Sequence, residues 1–179
     1  MLITTLLITA LAMTAPLSEL EAQLQNADPT VRRTAAEKLC KMGADAQPAS
    51  VALVKAMGDN DEETQQWASA ALEELGPPDV SATPTLVALL QTVDVEADTA
   101  FWAATLLGRL EADGASAVEP LTVAAQEHFS MPVREKAVWA LGNIGQPASS
   151  AKSVLEKLTA SDQPRLVRLA KAALEKISG

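Results

Sequence analysis

The 179-residue chain carries a net charge of −9, with 23 acidic against 14 basic residues, which argues against nucleic acid as a partner because a polyanion is held by Lys and Arg displacing its condensed counterions. Apolar residues make up 48% of the chain, yet only 3% is aromatic and there is no Tyr; Ala and Leu must do the packing, which suits closely apposed helices better than a sheet. The single cysteine, Cys40, excludes an intramolecular disulfide framework and a multi-cysteine zinc site.

In chain order, residues 1–15 hold no charged side chain and are too short to span a bilayer as a helix. They match the apolar region of a secretory signal, with Ala10-Leu11-Ala12 as a small-x-small cleavage site and a mature chain starting between Met13 and Pro16. That makes residues 16–179 the folded domain, exported to a periplasmic or extracellular location, with no membrane span after processing. The other reading keeps 1–15 as the first helix of a cytoplasmic protein. After Pro16, Leu17, Leu20 and Leu24 fall on one helical face. Asp28 then caps the next helix, and Pro29 occupies its first turn.

From there the chain repeats. Leu39, Leu72, Leu107, Leu141 and Leu174 recur at steps of 33, 35, 34 and 33 residues. Each has an Ala four residues earlier and Met42, Leu75, Leu110, Ile144 or Ile177 three residues later. A fixed period of this size marks a solenoid, whose units each have an apolar face that only a neighbour can bury. Each signature helix leads to a Gly- or Pro-containing turn (Gly43, Gly76-Pro77-Pro78, Gly114, Gly145), where Gly permits a left-handed helix end. A second helix follows, anchored by Leu53, Leu86, Leu121 or Leu155, each fourteen residues past its signature Leu. The expected fold is all-α, an α-α superhelix of four to five helical hairpins. Two residues beyond those anchors, Lys55, Ala88, Val123 and Lys157 face outward and would line the concave side as candidate partner-facing positions.

The run from Asp28-Pro29-Thr30-Val31-Arg32 through Leu39 to Gly43, and that from Val133-Arg134 through Leu141 to Gly145, resemble the first helix of a HEAT repeat of the short type also found in phycobilisome lyases. The resemblance covers residues 16–179 and implies a HEAT-type solenoid, without implying one activity. It also implies a ladder between repeats made by the Asp before the helix and the Arg after the Val. Asp28, Arg32 and Arg134 match that pattern, whereas Gln65 and Ala100 interrupt it.

No residue pattern points to catalysis, a metal or a cofactor. The one histidine, His128, sits near a helix end as a solvent-exposed polar residue, and a single Glu127-His128 cannot build the paired His-Glu motifs of a HEAT-type iron enzyme. Asp59, Asp61, Glu62 and Glu63 lack the spacing of a calcium loop. Trp67 and Trp102, five residues before their signature Leu, read as packing between repeats.

The functional expectation is a non-catalytic scaffold for a protein partner. The lyase resemblance implies the alternative of a lyase or chaperone-lyase subunit like the phycobilin attachment proteins. Charge indicates the partner. Residues 42–129 carry two bases against fifteen acids, a net of −13, and residues 130–179 carry eight bases against four acids, a net of +4. That field favours a partner with a basic surface and permits weak head-to-tail self-association.

Overall fold

The computed structural model describes residues 16–92 and 96–179; the expected signal at 1–15 and the junction residues Asp94 and Val95 lie outside them. Local sequence sets the helix starts. Asp28 accepts a hydrogen bond from the Thr30 backbone N–H, and Pro29 occupies the first turn of its helix. Asp61 accepts from both the Thr64 N–H and the Thr64 hydroxyl. Such caps satisfy donors that a helix N-terminus otherwise leaves open.

Ten α-helices result among the described residues, with no strand: α1 (Leu17–Gln23), α2 (Pro29–Met42), α3 (Ser50–Ala56), α4 (Glu62–Glu74), α5 (Thr83–Gln91), α6 (Ala97–Arg109), α7 (Val118–Glu127), α8 (Met131–Ile144), α9 (Lys152–Leu158) and α10 (Pro164–Ser178). Short 3-10 segments join each of α2, α6 and α8 to the helix that follows. Gly43 and Gly145 end their helices at φ of +56° and +74° but with ψ of −129° and −141°, a positive-φ conformation open to glycine that lies outside the expected left-handed helical region. The third repeat differs from expectation: Gly114 is buried inside its 3-10 segment, and Glu111 takes the positive φ, +51°. Glu111 occupies the register position of Gly43 and Gly145, four residues past the signature Leu, so an L-residue bears a conformation that glycine adopts freely.

The repeat leucines form the core. Leu39, Leu72, Leu107 and Leu141 are fully buried, as are Leu53, Leu86, Leu121 and Leu155, and the five signature alanines show no exposure. Leu174, on α10, is half-buried against the core.

Packing revises the repeat frame. Each signature helix packs against the helix before it, giving five hairpins: α1–α2, α3–α4, α5–α6, α7–α8 and α9–α10. Between hairpins, α2 packs closely on α4, α6 on α8 and α8 on α10, while α3, α5, α7 and α9 barely touch one another. Lys55, Ala88, Val123 and Lys157 face solvent on the layer formed by α3, α5, α7 and α9.

Small residues explain the tight layer. A Cβ on Gly108 would lie 2.7 Å from the Trp139 ring and 2.8 Å from Ala140 Cα; one on Gly142 would lie 3.0 Å from Ala173 Cα. Each contact pairs the residue after one signature Leu with the residue before the next. The same register pairs Cys40 with Ala71 across α2 and α4, but Glu73 with Leu106 across α4 and α6. At that fourth interface both partners are large, and the close helix packing seen at the other three is missing among the described residues. The array is split there.

Candidate functional site

Among the described residues, the ion pairs between repeats fall on one edge of the array, where the signature helices begin. Arg32, projecting from α2, donates through Nε and Nη2 to the two carboxylate oxygens of Asp59 at 2.6 and 2.8 Å, and through Nη1 to the carbonyls of Asn26 and Ala27. Burial pushes the Asp59 carboxyl up, but the Arg32 hydrogen bond and charge outweigh it and hold the group low. Arg33 engages Asp61 and Glu63. Its guanidinium and the Thr64 hydroxyl bring Asp61 down to about 2. The bridge thus runs from Arg32 forward to the next hairpin. Gln65, in the Arg position of α4, donates to the Asp59 carbonyl in its own loop, and Arg134 returns to the Ala125 carbonyl of α7. The ladder implied by Asp28, Arg32 and Arg134 is therefore realised only at the first of these positions. Arg32 and Arg33 thus hold Asp59, Asp61 and Glu63, while Glu62 is exposed and unpaired among the described residues.

The opposite edge, where signature helices end, keeps its charge. Glu73 and Glu74 close α4, and Glu111 and Asp113 follow α6; all four are exposed and unpaired among the described residues. The split between α4 and α6 opens on this edge as a groove of about 660 Å³, walled by Pro77, Pro78 and Trp139 and bordered by Arg109, Glu111 and Asn143. Arg109 spans the split. Its Nη1 donates to the Leu72 carbonyl at 2.8 Å and to that of Leu75, so the last carbonyls of α4 meet a cation. Its guanidinium carbon stands 5.8 Å from the Trp102 ring centroid. Burial lowers the Arg109 pKa, which Glu73 partly offsets.

Beside the groove, the Lys136 ammonium lies over both Phe101 and Trp139, at 4.6 and 4.7 Å from the ring centroids. Burial first, then Arg109 and Arg165, lowers its pKa. Asn143 accepts from Lys176 at 2.9 Å, which leaves its amide hydrogens uncommitted among the described residues. Trp102 is buried and Trp67 half-buried against the core, as packing between repeats requires.

His128 differs from expectation. It is half-buried, stacks on the exposed Phe129 with centroids 4.6 Å apart, and its Nδ1 accepts from the Ser130 N–H. Burial pulls its pKa down. Lys55, Ala88, Val123 and Lys157 form no shared cavity with the groove. Sequence inspection missed Arg109 and Glu111. The available signal was an Arg three residues before the turn and a Glu where other repeats carry Gly.

A family model for HEAT repeats matches residues 17–99 and 83–175. The protein is an all-α repeat solenoid, and the chain belongs to the HEAT repeat family. No curated protein matches the sequence. Among solved structures, the chain is similar to a designed armadillo repeat protein in complex with the peptide (KR)4, at 22% identity and a TM-score of 0.63, covering 90% of this chain and 81% of that one. It is also similar to the complex of CpcE and CpcF of phycocyanin lyase from Nostoc sp. PCC7120, at 23% identity and a TM-score of 0.60, covering 98% and 70%. A third, an engineered protein, aligns at 24% identity and a TM-score of 0.61, covering 90% and 79%. These likenesses show the fold.

Proposed function

We propose that this protein is a non-catalytic scaffold that binds a basic segment of a protein partner along the edge where its signature helices end. The observation that carries this reading is the unpaired acidic set Glu73, Glu74, Glu111 and Asp113 beside an open groove, whereas Asp59, Asp61 and Glu63 on the opposite edge are already held by Arg32 and Arg33. Unpaired surface carboxylates steer a cationic partner and speed its encounter. The fold is compatible with such a ligand, since the designed armadillo protein of similar architecture carries an alternating Lys-Arg peptide. The likeness to a phycocyanin lyase subunit is one of fold and brings no activity with it.

The test is calorimetric titration with a capped Lys-Arg octapeptide and with an acidic octapeptide of equal length. The basic peptide binds, more weakly as salt rises from about 0.05 to 0.5 M, because the Debye length shortens from over 10 Å to under 5 Å. Binding that is insensitive to salt, or preference for the acidic peptide, refutes the reading. We further propose export with removal of residues 1–15. Mass spectrometry of the protein from its native host tests this, and an intact Met1 in the soluble cytosolic fraction refutes it.

A further inference from the structure

We propose that the groove at the α4/α6 split receives one Lys or Arg side chain of the partner, with Glu111 as its counter-charge. This rests on the basic-partner reading above and assigns it a site. The groove opens where α4 and α6 lack the close packing of the other signature-helix pairs, and the register of Gly108 on Ala140 and Gly142 on Ala173 gives Glu73 and Leu106 as the equivalent positions of this pair. Among the described residues, no side chain fills this space of about 660 Å³.

Its chemistry suits a long cationic side chain. Pro77, Pro78 and Trp139 offer apolar walls for an aliphatic stem, and Glu111 and Asp113 offer carboxylates at its border for the charged head. Glu73 and Glu74 add negative charge at the adjoining end of α4. The one cation in the lining, Arg109, is engaged by the Leu72 and Leu75 carbonyls and faces the Glu73 charge, so it is committed to α4. An acidic ligand would have to pass the four carboxylates to reach it.

The experiment titrates the full chain and three variants with the capped Lys-Arg octapeptide. Glu111→Gln removes the counter-charge, and Val80→Trp fills the groove from an exposed lining position without changing charge. Glu119→Gln removes an exposed acid on α7, outside the groove lining, and serves as the charge control. Glu111→Gln and Val80→Trp each weaken binding by about threefold or more, the size expected for one partly exposed ion pair, and Glu119→Gln leaves it unchanged. Only Glu111→Gln makes the salt dependence shallower. Wild-type binding that both groove variants retain in full overturns this pocket but leaves the basic-partner reading standing. Failure of the wild type to bind overturns both. Circular dichroism of each variant verifies the fold, and Glu111→Gly supplies a second arm. Relief of the positive φ raises its unfolding midpoint while its affinity falls, a pairing that general destabilisation cannot produce.

Discussion

Replacing Gly108 by Ala tests the close approach of α6 and α8. A Cβ there would stand 2.7 Å from Trp139 Cζ3 and 2.8 Å from both Ala140 Cα and Ala140 Cβ. The indole can turn, but the Ala140 backbone can yield only if α8 moves as a body. Overpacking of this kind costs about 1–3 kcal/mol, and the better helix propensity of Ala returns up to about 1 kcal/mol. Since two of the three conflicts are with Ala140 Cα and Cβ, which move only with the α8 backbone, the net loss should be about 1–2 kcal/mol. For a domain of this size, that lowers the thermal midpoint by about 3–6 °C. Urea unfolding followed by circular dichroism should show the midpoint falling with an unchanged slope. Two comparisons sharpen the result. Gly142→Ala should cost less, because the nearest atom is 3.0 Å away, on α10, rather than 2.7 Å. Gly76→Ala should be neutral or slightly stabilising, since nothing lies within 4 Å and its φ is not positive. A Gly108→Ala variant as stable as the wild type would refute the argument that small residues set the helix spacing.

Leu72→Ala and Leu141→Ala should each destabilise the fold by about 2–5 kcal/mol in denaturant titrations, the cost of a cavity at a fully buried Leu, and Leu174→Ala should cost visibly less. Asp61, held at about 2 by Arg33 and Thr64 against an unfolded value of 3.8, contributes stability that is complete above pH ~4 and lost as pH falls toward 2. Arg33→Gln should flatten that acid limb, and an unchanged profile would show that the pair does not act. His128, whose folded pKa is lowered by burial, favours the neutral ring, so its contribution is present above about pH 6.5 and declines as pH falls below it. His128→Gln should remove this component from the midpoint-against-pH curve. His128→Ala should cost a little stability through the lost stack on Phe129, but far less than Leu141→Ala.

The architecture was legible in the sequence because its cause is local and repeated. A Leu every 33–35 residues with an Ala one turn earlier identifies a buried stripe on each helix, and Asp28-Pro29 announces a helix start from adjacent residues alone. Which helices pair was not legible, since each signature helix has a neighbour on either side in the chain and periodicity treats both alike. The structure pairs it with the preceding helix and leaves Lys55, Ala88, Val123 and Lys157 exposed on the layer of α3, α5, α7 and α9. The cross-repeat bridge of Arg32 to Asp59 also needed three dimensions, because nothing local to either residue selects the other across 27 positions. The groove is the mixed case. Glu73 and Leu106 stand in plain view in the sequence, but only the packing register of Gly108 on Ala140 and Gly142 on Ala173 reveals that they occupy facing positions too large to close. Side-chain size is a property of the sequence, whereas the gap it leaves depends on which side chain it meets, and that is decided by tertiary packing.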